Sequence, residues 1–336
     1  MARLFLYLKG VAMGIADLIP GVSGGTIAFI TGIYEQLIAA LKSVDKDALK
    51  LLFTFKLKAF FKKIDGGFLI TLISGILTSI LLLANLMKFL LDNHPVLLWA
   101  FFFGLILSSI YVVLKKIKKW NVIGIIMFVV GTVGAYLVTS TKAVHLPDGP
   151  FFIYLSGAIG IIAMILPGIS GSYILLILGK YNEVISILTR ITSYFKDALG
   201  ALFKGDFDTI TGNFPASDVG LMLLFVLGTV TGLMAFSRVL NWLFKNHHDL
   251  AVFTLGGFML GSLNVIWPWK TVIGTELDRH GEIQNIYQNI FPAAIDQQFW
   301  LIIGLMIAGF LIVYLIEKMS VPKFEDKHYK HHKGEV

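Results

Sequence analysis

The chain has 336 residues, of which 56% are hydrophobic and 15% charged, and a formal net charge of +7. Soluble domains carry about 25% charge, so this composition excludes an ordinary water-soluble fold. The absence of cysteine excludes disulfides and thiolate metal sites. The positive balance reads as Lys-rich loops on the cytoplasmic side of a membrane protein, not as a nucleic-acid surface.

In chain order, the first apolar stretch, 10–40, is interrupted by Pro20-Gly21. Lys9 and Asp17 break its apolar character and no small-residue cleavage site follows, so it does not read as a signal peptide. Residues 45–64 mix Leu and Phe with clustered Lys, the pattern of a helix lying in the membrane interface, with Asp45 as its N-cap. Apolar runs at 67–91, 96–115 and 121–140 each reach the roughly 20 residues that cross a bilayer as a helix. A second interrupted stretch, 151–187, carries Pro167-Gly168, and spans follow at 218–244, 249–268 and 298–318. Polar loops are expected at about 188–217 and 270–298. The last segment, 319–336, is a basic, His-bearing tail that reads as solvated.

The two interrupted stretches are copies of one another. Residues 20–38 (PGVSGGTIAFITGIYEQLI) and 167–185 (PGISGSYILLILGKYNEVI) are identical at nine of nineteen positions at an offset of 147. The identities include Pro, three Gly, Ser and Tyr, which apolar composition alone does not align. At an offset of 153, Gly75 meets Gly228, Asn85 meets Arg238, and Gly104 meets Gly257. Trp120 and Gly124 then align with Trp300 and Gly304. The domain plan is therefore a first membrane repeat at 1–141, a second at 142–318, and a tail.

A single helix over 151–178 would be about 42 Å long, longer than a hydrocarbon core of about 30 Å. Proline inside it removes a backbone hydrogen bond. Each interrupted stretch is therefore expected to enter and leave on the same side. That model places 19 Lys or Arg residues on the side of both termini and six on the other, as the positive-inside rule requires. It also inverts the second repeat relative to the first. The expected fold is all-α integral membrane, of two inverted repeats, each a re-entrant broken-helix hairpin plus three transmembrane helices, the plan of many transporters. Both termini are expected in the cytoplasm.

Two Pro-Gly-x-Ser-Gly tips brought together at mid-membrane would expose backbone N–H groups and hydroxyls to a ligand. The chemistry is that of an anion cradle. Its candidate residues are Gly21, Ser23, Gly24, Gly25, Thr26, Gly168, Ser170, Gly171 and Ser172. Arg238 and Lys180 are candidate phosphate partners, Arg for its planar fork. Asp17, Glu35, Glu183 and Asn85 are candidates for coupling or transport, because polar groups within apolar spans are costly. The motif lacks the Gly-Lys-Ser/Thr ending of a nucleotide-binding loop. It also has no His beside its Ser, no paired carboxylates and no metal-ligand cluster, so neither an enzyme, a cofactor nor a metal is expected. From these residues alone, a carrier or channel for a small inorganic ion and an enzyme acting on lipid phosphates stay open beside a lipid transporter.

The stretches at 14–38 (GIADLIPGVSGGTIAFITGIYEQLI) and 166–185 (LPGISGSYILLILGKYNEVI) together resemble the bacterial and archaeal polyprenyl-phosphate translocases, formerly a family of unknown function. The resemblance covers nearly the whole chain. It implies a flippase in the cytoplasmic (inner) membrane that returns undecaprenyl phosphate from the outer to the inner leaflet, recycling the carrier for peptidoglycan and other envelope polymers. The partners it implies are the polyprenyl-phosphate lipid and the membrane. Proton or Na⁺ coupling and homo-oligomerisation are open, and nucleic acid is not a partner. Carried onto this chain, the motif positions are Asp17, Pro20, Gly21, Ser23, Gly24, Gly25 and Thr26, with Pro167, Gly168, Ser170, Gly171 and Ser172.

Overall fold

The computed structural model describes residues 2–19, 22–115, 117, 119–141, 144, 146–204, 214–277, 283–292 and 294–319. Pro20, Gly21 and the His-bearing tail lie outside them. The described chain is helical apart from one strand pair. In order the helices are α1 (Ala2–Asp17), α2 (Gly24–Ile30), α3 (Tyr34–Lys42), α4 (Lys46–Phe53), α5 (Leu57–Lys63), α6 (Gly66–Asn93), α7 (Pro95–Lys115) and α8 (Val122–Ser140). They continue with α9 (Pro150–Ile165), α10 (Gly171–Ile177), α11 (Tyr181–Lys204), α12 (Ala216–Asn246), α13 (His248–Ser262) and α14 (Gln297–Met319). Five of them, α6, α7, α8, α12 and α14, are long and apolar enough to cross a membrane. Many large apolar side chains on these helices face outward, Leu81 and Val122 among them, as a lipid-facing surface requires.

Helix packing follows the sequence repeat. α1 packs on α6 and α9 on α12, while α8 packs on α13 and α14 on α7. The first two contacts are alike in detail. Tyr7 OH donates to Thr78 Oγ1 at 2.9 Å, and Tyr154 OH shares a hydrogen bond with Thr231 Oγ1 at 2.8 Å. Glycine lets the helices touch: a Cβ on Gly75 would lie 2.3 Å from the Tyr7 carbonyl oxygen, and one on Gly228 would lie 1.9 Å from that of Tyr154. Backbone contact across small residues is the usual adhesive between helices in a membrane, where apolar side chains gain little from leaving lipid.

The second pair of contacts corrects the sequence register of the last span. Gly104 abuts the Met306 carbonyl as Gly257 abuts that of Phe128, and Gly309 abuts Phe101 as Gly131 abuts Thr254. These pairs match Phe128 with Met306 and Gly131 with Gly309. The last spans therefore correspond at an offset two residues shorter than the alignment of Trp120 with Trp300 and Gly124 with Gly304. Packing agrees: a Cβ on Gly124 would strike Phe253, whereas Gly304 has open space.

Four elements differ from expectation. The interfacial segment is two helices, not one, because the chain turns at Phe55, whose φ is 55°. Asp45 does cap α4, accepting from Ala48 N at 2.9 Å, and Lys63 reaches back to it at 2.6 Å. Phe53, Phe55, Leu57 and Phe61 stay exposed beside these lysines, an amphipathic surface suited to lipid headgroups. The polar loop expected at about 188–217 is helical as far as Lys204 within α11. The loop expected at 270–298 contains an antiparallel strand pair, β1 (Lys270–Leu277) with β2 (Ile283–Asn289), registered Lys270 to Asn289 and carrying a bulge between Val272 and Gly274. The apolar run expected to span at 249–268 is helical only to Ser262, with turns leading into β1.

Candidate functional site

Each Pro-Gly-x-Ser-Gly motif interrupts a pair of helices, α1 and α2 in the first copy, α9 and α10 in the second. Both short helices end in the same way. Gly32 (φ 73°) and Gly179 (φ 67°) adopt the left-handed conformation that glycine enters without steric cost. The next residue then donates back across the last turn, Ile33 N to Ala28 O at 3.0 Å and Lys180 N to Leu175 O at 2.9 Å. This is the Schellman ending of a helix, and it explains why glycine recurs at that position. After it the first copy bends sharply: α2 and α3 are inclined by 117°.

The two tips meet, although they lie about half the chain apart. Gly168 N donates to Thr26 Oγ1 at 2.9 Å. Ser23 Oγ donates to the Met164 carbonyl at 3.1 Å, and Tyr34 OH donates to the Ile165 carbonyl at 3.1 Å. Those two carbonyls end α9, where the break leaves them without partners further along the helix. The approach is tight, for a Cβ on Gly25 would come 2.6 Å from the Ile165 oxygen. Gly168 sits at φ 90° against Met259 and Ser262 of α13. Ser23, Thr26 and Tyr34 are buried. Phe29, Tyr34 and Phe244 of α12 form an edge-on aromatic triangle beneath the first tip, with centroids 5.2 to 6.4 Å apart.

Asp17, the last residue of α1, folds back onto the start of α2. Its Oδ1 accepts from Gly24 N at 2.6 Å, and Ser23 Oγ accepts from Gly25 N at 3.1 Å. In the second copy the position equivalent to Asp17 is Met164, whose Cβ lies against Gly171. Ser170 makes no capping bond there. Its hydroxyl instead pairs with that of Ser172 at 2.8 Å. The carboxylate at the first tip was legible as a candidate, but its partner was not, since a bond from Asp17 to Gly24 depends on how the chain turns at 18–23.

The remaining candidates lie apart from the tips. Lys180 is fully buried at the exit of the second copy, where Glu183 and Asp148 bind its ammonium at 2.7 and 2.9 Å. Its charge is therefore already neutralised, and Glu183 acts as its partner. Arg238 is exposed on α12 and its guanidinium turns back to the Met234 carbonyl of the same helix. Asn85 is exposed on α6. Glu35, at the start of α3, faces His248 at 3.2 Å beside a small cavity lined by Phe29, Tyr34 and Val113. Sequence reasoning missed His248 and the Asp148 partner of Lys180, because both belong to segments remote from the motifs. Among the described residues no group of three or more His, Cys, Asp or Glu side chains could hold a metal ion.

Long apolar helices whose packed centre is built from two interrupted, hydrogen-bonded copies of one motif define a multi-pass membrane protein of the transporter kind. The chain belongs to the undecaprenyl phosphate translocase-like family (VCA0040-like), whose model matches residues 13–284. It is 39% identical over 327 residues to a polyprenyl-phosphate transporter of Vibrio cholerae serotype O1, covering 95% of this chain and 98% of that protein. It is also 31% identical over 280 residues to a polyprenyl-phosphate transporter of Staphylococcus aureus, covering 78% of this chain and 85% of the relative. No solved structure matches it.

Proposed function

We propose that this protein is a flippase that carries undecaprenyl phosphate, or a close polyprenyl phosphate, from the outer to the inner leaflet of the cytoplasmic membrane. The observation that carries this reading is the junction of the two tips, at the buried centre of a protein whose relatives are named polyprenyl-phosphate transporters. The recurring helix contacts support two repeats. The charge distribution supports an inverted pair with re-entrant tips and both termini in the cytoplasm.

In this arrangement the tips hold each other closed. Transport requires the repeats to part, so that Ser23, Thr26, Gly168, Ser170 and Ser172 exchange their mutual hydrogen bonds for phosphate oxygens. The headgroup then crosses among polar groups while the prenyl chain stays in lipid. Asp17 is the coupling group: its carboxylate holds the Gly24 amide that an incoming phosphate also needs, so proton binding at Asp17 and phosphate binding favour one another. Lys180, Glu183 and Arg238 act outside this exchange, the first two as an ion pair that braces the second exit.

The test is transbilayer movement of a fluorescent short-chain prenyl phosphate in proteoliposomes, read by a quencher added outside. The wild-type chain moves the probe, and Thr26→Val, which keeps shape but removes the acceptor of Gly168 N, slows it severalfold. An unmoved probe with the wild-type protein, or unchanged movement with Thr26→Val and Ser170→Ala combined, overturns the assignment. Ion flux in vesicles free of prenyl lipid would favour an ion carrier in its place.

A further inference from the structure

Beside the strand pair, away from the tips, lies an open cavity of about 500 Å³, within the ~300–1,000 Å³ range of small-molecule sites. It is walled by α7, α8 and the end of α13, and most of its lining is apolar, with Phe103, Tyr136, Trp267 and Phe291 prominent. Its polar edge is Asn264 and Asn289. The Asn289 amide donates to Asn264 Oδ1 at 2.7 Å, and Asn264 donates to Ser140 Oγ at 3.1 Å. The cavity is separated from the second tip by one helix: Leu260, Gly261 and Asn264 face it, while Met259 and Ser262 hold Gly168.

A cation stands at the same end. Lys270 opens β1 directly opposite Asn289. Its ammonium lies 4.2 Å from the centroid of Trp99, one turn along α7 from Phe103, and Trp267 packs on Phe103 at 5.5 Å. It donates to the Val265 carbonyl and has no carboxylate within ion-pair distance among the described residues. A half-buried ammonium held by one carbonyl, the Trp99 ring and, at 6.0 Å, the Tyr287 ring is under-compensated.

We propose that this cavity and Lys270 form a loading site for the polyprenyl phosphate on the face that carries the strand pair. The prenyl chain lies in the aromatic cavity, and the phosphate sits on the Lys270 ammonium with the Asn289 amide beside it. The proposal rests on the transport reading above and adds a place where the lipid waits before it reaches the tips. Two observations choose this occupant over an ordinary phospholipid. The cation, without a carboxylate among the described residues, calls for an anionic head. The compact aromatic wall suits a single branched, unsaturated chain better than paired straight acyl chains, which have no double-bond planes to stack on the rings.

The test uses the full-length protein in phosphatidylcholine nanodiscs with radiolabelled farnesyl phosphate as probe, each variant first shown to be folded and monodisperse by size-exclusion chromatography. Lys270→Gln is expected to weaken farnesyl phosphate binding roughly tenfold or more and to leave farnesol binding unchanged, and Lys270→Arg to restore most of the loss. Val133→Trp, which fills the cavity from α8, is expected to weaken both ligands. Wild-type affinity in both Lys270→Gln and Val133→Trp overturns the proposal, and so does equal competition by phosphatidic acid. If Thr26→Val stops flipping while Lys270→Gln binds normally, the loading site falls and the transport reading stands. If Lys270→Gln loses binding but the wild-type protein moves no probe, the transport reading falls and the binding site stands.

Discussion

The first Pro-Gly-x-Ser-Gly tip is closed by its own chain, whereas the second is closed by its neighbour. Ser23 caps α2 and Asp17 binds Gly24 N, so the amides at the start of that helix are satisfied locally. At the second tip, Ser170 turns to Ser172, the carboxylate is replaced by Met164, and among the described residues Gly168 N finds its acceptor in Thr26 across the junction. The two copies share sequence and C-terminal geometry, yet one is a self-sufficient unit and the other a dependent one. A single carboxylate accounts for much of this, because an ionised acceptor makes a hydrogen bond about twice as strong as a neutral one. The asymmetry is in the capping: the second tip has no carboxylate of its own, and its Gly168 amide depends on Thr26 of the first.

The comparison breaks most severely at Gly168. Its positive φ and its contact with α13 leave no room for a side chain, so Gly168→Val should cost on the order of 4 kcal/mol. Little folded protein should then survive size-exclusion chromatography after detergent extraction. Thr26→Val should strand the buried Gly168 amide at a cost of about 1–3 kcal/mol, seen as a lower unfolding temperature. Tyr34→Phe, which strands the Ile165 carbonyl in the same place, should cost about 1 kcal/mol. Asp17→Asn keeps an acceptor for Gly24 N and removes only the charge, so its stability loss should be smaller, below about 1 kcal/mol. Its larger effect should be on flipping, which should lose its dependence on pH. A flipping rate in Asp17→Asn that keeps the wild-type pH profile would remove Asp17 from coupling.

A separate, pH-dependent effect is expected outside the tips. Burial pushes the Lys270 ammonium down to about 8 from a usual 10.5. The folded state therefore gives up its proton before the unfolded state does. Stability should be lowest below pH 8, rise between about pH 8 and 10.5, and stay level above that. Lys270→Gln should flatten this slope in thermal unfolding measured across the range. Anion binding runs the opposite way, since farnesyl phosphate affinity should fall as the ammonium is lost above pH 8.

Much of the centre was legible because repetition is a strong signal. The identities at Gly32 and Gly179 mark matching left-handed helix ends, and Tyr7 and Tyr154 make matching hydrogen bonds at a spacing the offsets of 147 and 153 contain. Charge was less readable. Arg238 and Lys180 stood out as cations in apolar surroundings, but one turns onto its own helix and the other is taken by Asp148 and Glu183. A lone charge in a sequence shows that a partner is needed, not where the partner is. The last-span register failed for a related reason: Trp is common at membrane interfaces and Gly within membrane helices, so their alignment carries less weight than a backbone contact at Gly309.

By itself, the sequence determined the solvent, five of the six uninterrupted apolar spans it offered, the duplication and the positions where helices must break. These follow from local rules: composition sets the solvent, periodicity and length set the spans, and proline with glycine sets the breaks. Only the tertiary structure decided that the two breaks bond to each other, that Asp17 occupies the first of them, and that Lys270 is left over an aromatic ring beside an apolar cavity. Those are pairings between residues distant in the chain, and their energies depend on distance and burial, which exist only once the helices have packed.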